Sequence, residues 1–362
     1  MTGKIKNIYP GGNTSQGFYS FYENVLSGLD RVFILKGGPG TGKSSMSRKL
    51  GEKYLKEGYD ITYLHCSSDN NSLDGIIIDN RVAIVDGTAP HVIDPKYPGI
   101  VDEIINLGEC WDREKLLPYR KEIIEMRSQI AIHYKRAYSL FHQSKLVHDD
   151  LEQIYLSEMD FGAADDVTQN LIKIIVGNRE ENKTAKRTDM FFGAITPNGS
   201  VNFYEELTDG IRTRFFVKGR AGTGKSTMMK KIAEAAISAG FDTEIYHCAF
   251  DPNSVDMVII PTLDVVILDG TAPHVFNPVR PTDILVDMYA LCLPIDIDKR
   301  RKKEIDSLNK KYEDLFKMGI PHIQEARSLH LEIEKYYVAA MDYKKVDEKQ
   351  KYIEEEIEKE LS

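Results

Sequence analysis

A chain of 362 residues is long enough for two or three domains with cores of their own. Its 42% hydrophobic and 28% charged residues fit a globular protein, and a net charge of −9 argues against generic binding to duplex nucleic acid, leaving room for a local basic groove. No apolar run approaches the roughly 20 residues of a membrane span, the polar start Met1–Lys6 has no secretory core, and four cysteines make no disulfide scaffold, so a soluble, cytoplasmic protein with no membrane partner is expected.

In chain order, the first strong signal is the apolar run Val32–Leu35, which predicts a strand. It is followed by Gly37-Gly38-Pro39-Gly40-Thr41-Gly42-Lys43-Ser44 and then by the helical pattern of Ser45–Leu50 with Tyr54 and Leu55. The loop reads G-x-x-x-x-G-K-S, the Walker A pattern. Glycines let backbone N–H groups turn inward around a triphosphate, the lysine meets the β/γ-phosphates, and the serine hydroxyl meets Mg²⁺. The helix N-terminus adds an anion-favouring field.

The pattern occurs again as Gly219-Arg220-Ala221-Gly222-Thr223-Gly224-Lys225-Ser226, after Arg214–Val217, at a shift of 182 (219 − 37). Expected ATP contacts are Gly37, Gly38, Gly40, Thr41, Gly42, Lys43, Ser44 and Ser45 in the first copy. In the second they are Gly219, Arg220, Gly222, Thr223, Gly224, Lys225, Ser226 and Thr227. Arg220 stands where the first loop has Gly38, which distinguishes the two copies.

The duplication extends beyond the loops. Gly17–Glu23 matches Gly199–Glu205, and Ile61–Cys66 matches Thr243–Cys248, both ending in His-Cys. Asp69, Asn71, Ser72 and Asp74 match Asp251, Asn253, Ser254 and Asp256. Val82–His91, containing Asp-Gly-Thr-Ala-Pro-His, matches Val265–His274. Short apolar runs alternating with helices predict an α/β fold with two repeated, mostly parallel sheets flanked by helices. Ligands then sit at the carboxyl strand ends, so each half is expected to gather its loop, its His-Cys pair and its Asp-Gly-Thr-Ala-Pro-His segment around one nucleotide.

From about 112 to 160, and again from about 298 to 342, apolar residues recur mostly three to five apart, predicting a helical arm or hairpin in each half. Gly319-Ile320-Pro321 is expected to end one helix and begin another. Residues 179–188 read as an exposed linker between a first domain, 1–178, and a second, 189–362. The charge-rich stretch from Lys344 to Ser362 reads as a solvated helix.

Asp86 and Asp269 end apolar runs, as a Walker B aspartate does, and are expected to hold Mg²⁺ through water, with Ser44 and Ser226 as its other protein contacts. Gly87 and Gly270 follow them, where many mechanical ATPases carry a water-polarising Glu. His91 and His274, with Lys43, Lys225, Asp86 and Asp269, complete the expected catalytic set; each His either senses the γ-phosphate or orients the nucleophile, or else shapes a turn. His65 and His247, with Asp69 and Asp251, are candidate bases. Cys66, Cys110, Cys248 and Cys292 all belong to the repeat, and without a C-x-x-C spacing they read as small buried hydrophobes rather than as a metal or redox site. Arg120-Lys121 and Lys302-Lys303 read as solvated helix faces more than as a lid over phosphates.

On the two loops and the strand-end aspartates, each half resembles a P-loop NTPase domain. On the GTGKS loops and the paired DGTAPH segments, the whole chain is similar to a bacterial family of tandem P-loop proteins regarded as ATPases of unknown substrate. The resemblance implies phosphate contacts for Lys43 and Lys225 and magnesium contacts for Ser44, Ser226, Asp86 and Asp269. No N-K-x-D guanine motif occurs, favouring ATP over GTP. Three functions follow: an ATPase or ATP-driven switch moving its arms against a protein partner, a kinase transferring the γ-phosphate to a small-molecule or nucleotide hydroxyl acceptor, or a non-enzymatic role in which one half keeps ATP binding only as a structural clamp.

Overall fold

The computed structural model describes residues 2–271 and 275–362. The first half forms β1 (Ile5–Ile8), β2 (Gly11–Thr14), β3 (Gly17–Ser20), β4 (Arg31–Lys36), β5 (Ile61–His65), β6 (Leu73–Ile78), β7 (Val82–Asp86) and β8 (Asp102–Asn106). The second forms β9 (Arg187–Phe191), β10 (Gly193–Thr196), β11 (Gly199–Asn202), β12 (Thr213–Lys218), β13 (Thr243–His247), β14 (Val255–Ile260), β15 (Val265–Asp269) and β16 (Asp283–Asp287).

Two six-stranded sheets share one strand order, β1-β5-β6-β7-β4-β8 and β9-β13-β14-β15-β12-β16. In both, every neighbouring pair is parallel except those made by the third strand, β6 or β14. The expected α/β class, with two similar and mostly parallel sheets flanked by helices, is what the chain forms.

The central strands read as unbroken apolar runs because both their faces are covered. On β4, Phe33 and Leu35 meet Met46, Leu50 and Tyr54 of the helix Lys43–Glu57. Val32 and Ile34 point the other way, into a core shared with Phe216, Tyr246, Met257, Val266 and Leu268 of the second sheet. The two sheets therefore share one core, with the loop helices outside. At the joint, Tyr9 and Phe191 exchange both backbone N–H···O bonds at 3.0 Å. These residues are repeat equivalents (191 − 9 = 182), so the contact is isologous, as in a twofold dimer.

Each half sends out one long helix, Arg120–Leu156 and Lys302–Ala340, of 37 and 39 residues. They run antiparallel to each other: Tyr119 packs on Tyr336, His133 on His322, and the Ser144 hydroxyl donates to the Tyr312 carbonyl. The helical hairpin expected within each half is thus formed between halves.

The break expected at Gly319-Ile320-Pro321 does not occur; Pro321 lies inside a continuous helix. A proline in a helix interior costs about 3 kcal/mol. The seam outweighs this by burying Ile323, Ala326 and Ile333 against Ala137, Phe141 and Ile130, where each large apolar side chain contributes roughly 1.5–3 kcal/mol.

After each arm the chain crosses over. The helix Phe161–Ile175 seals the second half's core with Leu171 and Ile175 against Met229 and Ile232, while Tyr343–Leu361 seals the first half's core with Val346, Ile353 and Ile357. Asp160 N–H donates to the Cys292 carbonyl at 2.9 Å and Asp342 N–H to the Cys110 carbonyl at 2.7 Å, fixing the two crossings alike. The last helix is therefore docked along one stripe, not solvated all round as its charge suggested. Nor does the linker stretch 179–188 remain irregular to its end, because β9 begins at Arg187 and pairs in register with β13.

At the centre of the arm seam stand Ala137 and Gly319, again 182 apart (319 − 137) and both buried. A Cβ on Gly319 would lie 2.4 Å from a Phe141 ring atom. Gly→Ala in a helix interior gains about 1 kcal/mol of propensity, whereas overpacking costs about 1–3 kcal/mol. Gly319→Ala is accordingly expected to be net destabilising; an unchanged or raised midpoint in urea unfolding would show that the seam is looser than described.

Candidate functional site

The two glycine-rich loops have the same backbone. Gly40 and Gly42 lie at φ 68° and 89°, Gly222 and Gly224 at φ 75° and 76°, a region that side-chain-bearing residues resist. Neither following helix, Lys43–Glu57 or Lys225–Ser238, has a side chain capping its first turn. The positive end of each helix dipole and its first N–H groups therefore open into the loop.

Lys43 Nζ donates to the Gly37 and Gly38 carbonyls at 2.9 and 2.7 Å and stands 3.5 Å from Asp86 Oδ2. Lys225 Nζ donates to the Arg220 carbonyl at 2.8 Å and stands 3.6 Å from Asp269 Oδ2. Both aspartates end a strand parallel and adjacent to the one feeding the loop. The Ser44 and Ser226 hydroxyls accept the N–H groups of Leu73 and Val255, each at 2.9 Å. Thr41 and Thr223 brace the loops from inside through the Gly38 and Arg220 carbonyls, and Ser45 and Thr227 lie exposed on the first helical turns. Lysine, serine and aspartate thus converge in both halves.

The loops differ at one position. Arg220 turns to Asp298 at 2.6 Å and lies over the Tyr289 ring, whereas Gly38 leaves room for the Tyr337 ring.

His91 is buried beside the first site, 3.8 Å from Asp74 Oδ1 and 4.0 Å from Asp86 Oδ2, and stacked on Tyr22. Among the described residues neither ring nitrogen has a hydrogen-bond partner. A buried polar group left so costs about 1–3 kcal/mol. His274, its expected counterpart, lies outside the described residues. Asp74 accepts from the Tyr22 hydroxyl at 2.8 Å, and burial raises its pKa. In the second half, burial and the neighbouring Asp269 charge push Asp256 up to about 7. Both aspartates are visible as repeats in the sequence, with no pattern that assigns them to the site.

His65 and His247 do not join the loops. His65 Nε2 meets Asn7 Oδ1 at 2.8 Å, and His247 Nε2 meets Asp189 Oδ1 at 2.8 Å, each on the edge strand of its own sheet. Their rings pack on Phe203 and Phe21 of the opposite half. The expectation that they gather around the nucleotide is corrected: they belong to the joint between the halves. Asn7 and Asp189 are repeat equivalents (189 − 7 = 182), so one joint histidine has a neutral partner and the other a charged one. Burial alone would raise the Asp189 carboxyl, but hydrogen bonds from His247 and Arg187 outweigh it and hold it at about 2.

The cysteines are all free, and Cys110 and Cys292 are buried in the two helix-sheet cores. Arg120, Lys121, Lys302 and Lys303 are exposed, as solvated helix faces are. Sequence reasoning missed Lys36 and Lys218, which clamp the turns after the strand-end aspartates through the Gly87 and Gly270 carbonyls. It also missed the residues over each loop: Tyr343, at the start of the last helix, donates to the Gly40 carbonyl at 3.2 Å, and Glu152 of the first arm lies against Gly222. His148, Asp149 and Glu152 could share a cation, but Leu331 stands where the second arm would repeat Asp149 (331 − 149 = 182). A cavity of about 610 Å³ opens elsewhere, beside Gln16, Tyr134 and Tyr138, and lacks this chemistry.

The fold and site define a duplicated α/β protein with two like, lysine-serine-aspartate loop sites. No family model, curated protein or solved structure matches the chain. No helix among the described residues is long and apolar enough to cross a membrane.

Burial, with the nearby Arg48 charge, lowers the His65 pKa from 6.5 to about 4. The folded state needs the neutral ring, so its contribution is complete above pH 6.5 and is lost as pH falls toward 4, by about 3 kcal/mol. His65→Gln should flatten that part of the stability profile. Equal losses for both proteins in urea unfolding at pH 7.5 and 4.5 would place the acid sensitivity elsewhere.

Proposed function

We propose that the chain is a tandem P-loop NTPase that binds Mg²⁺-ATP at both glycine-rich loops and hydrolyses it, using the change to move its arms against a protein partner. The observation that carries this reading is the convergence, twice, of two left-handed glycines, an uncapped helix start, a lysine and a strand-end aspartate. A tetraanionic triphosphate suits such a cradle, since inward N–H groups and one lysine supply fixed positive potential with no reorganisation.

The donors also fit a magnesium ion. Ser44 and Asp86 in the first half, and Ser226 and Asp269 in the second, offer the hard oxygen ligands that Mg²⁺ takes alongside water and phosphate. When bound, the ion neutralises charge on the β- and γ-phosphates. Lys43 and Lys225, now turned to loop carbonyls and aspartate, would swing their ammonium groups to phosphate oxygens. His91, buried and with no hydrogen-bond partner among the described residues, would meet the nucleotide or its water.

A kinase needs a free base for the acceptor hydroxyl. Asp69 is paired with Arg327 at 2.9 Å and Asp251 with Lys145 at 3.3 Å, so either carboxylate would have to release its arm cation before it could take that proton, and hydrolysis is taken as the first reading. The missing guanine motif favours ATP.

Titration calorimetry with AMP-PNP and Mg²⁺ should give two nucleotides per chain, one after Lys43→Ala or Lys225→Ala, and none in the double variant. Unchanged stoichiometry in either single variant removes that site. With [γ-³²P]ATP and a metabolite panel, free phosphate is expected; phosphorylated acceptor would make the protein a kinase.

A further inference from the structure

Each arm carries a basic residue, a histidine and a glutamate at one spacing: Lys145, His148 and Glu152 on the first, Arg327, His330 and Glu334 on the second. All three pairs are related by the repeat shift (327 − 145 = 182). Positions i, i+3 and i+7 share one face of a helix, and that face looks at the loop of the opposite half. Arg327 crosses to Asp69 at 2.9 Å and Lys145 to Asp251 at 3.3 Å. A Cβ built on Gly40 would lie 2.9 Å from Glu334 Cγ, and one on Gly222 would lie 2.7 Å from the Glu152 carbonyl.

The same loops cannot take a water-polarising carboxylate from their own half at its usual place. After Asp86 stands Gly87, where a Cβ would lie 2.4 Å from Ile34 Cγ2; after Asp269 stands Gly270, where it would lie 2.8 Å from the Phe276 carbonyl. The fold closes that position and opens another. Glu334 feels the charges of Lys43 and Arg327, and Glu152 those of Lys145 and Lys225; burial is the larger influence and raises both carboxyls. Burial lowers His148 and His330, keeping those rings neutral.

We propose that each nucleotide site is composite, with the opposite half's arm supplying the base, Glu334 at the first loop and Glu152 at the second, and a cation for the γ-phosphoryl group, Arg327 or Lys145. This rests on the P-loop reading above. The water oxygen bonds to the γ-phosphorus, and the bond from γ-phosphorus to the β-γ bridging oxygen breaks, its electron pair leaving with ADP. One water proton passes to the glutamate and from there to solvent.

Lys225→Ala confines turnover to the first loop, and added substitutions then test the second arm. Glu334→Gln should bind AMP-PNP within about threefold of its parent while phosphate release falls about 100-fold. Arg327→Ala should weaken AMP-PNP about tenfold relative to ADP, a ratio readable even if turnover is slow. Glu332→Gln, an exposed neighbour paired with Lys335, is the control and should match its parent. An undiminished rate in Glu334→Gln, or an unaltered AMP-PNP/ADP ratio in Arg327→Ala, overturns the composite site alone. An unsubstituted chain that fails to bind AMP-PNP overturns the nucleotide reading instead, and binding that survives Lys43→Ala plus Lys225→Ala overturns its placement at the loops.

Discussion

The exchange of helices between the halves is the constraint on which the rest of the structure depends. Ile353 and Ile357 complete the core against β4 and its loop helix, although they lie some 300 residues away in the chain. Leu171 and Ile175 do the same for the second half. Cutting the chain at its midpoint would leave each sheet with one helix missing and a large apolar face exposed, which a small domain cannot afford. The shared core between the sheets and the reciprocal Tyr9–Phe191 bridge add to this dependence.

The crossing also explains why the arms tolerate unfavourable local sequence. A proline inside a 39-residue helix and a glycine at its centre both lower helix propensity. The glycine permits close approach of the arms at Phe141, and the seam around it offsets the proline. Tertiary packing, not propensity, makes these helices continuous.

Duplication has left the two sites alike in their chemistry and unlike in their setting. Lysine, serine and aspartate recur with nearly the same geometry. Around them, Arg220 replaces Gly38, Asp149 faces Leu331 across the repeat, and Asp189 replaces Asn7 beside the joint histidine. These differences sit next to otherwise equivalent groups and give the halves different charge environments.

The sequence by itself determined the repeat, the α/β class, the two loops and the strand-end aspartates. Those features are local: glycine φ angles, an apolar run and a helix start lie within a dozen residues, and their spacing is the chemistry. It also indicated arms, through periodicity. Only the tertiary structure decided which half each arm serves. Arg327 and Asp69 are 258 residues apart, and nothing in local pattern says that they meet. Continuity through Pro321, docking of the charged last helix and removal of His65 and His247 to the joint were likewise decided by partners distant in the chain. Helix periodicity marks which face is apolar, whereas long-range packing chooses what covers it.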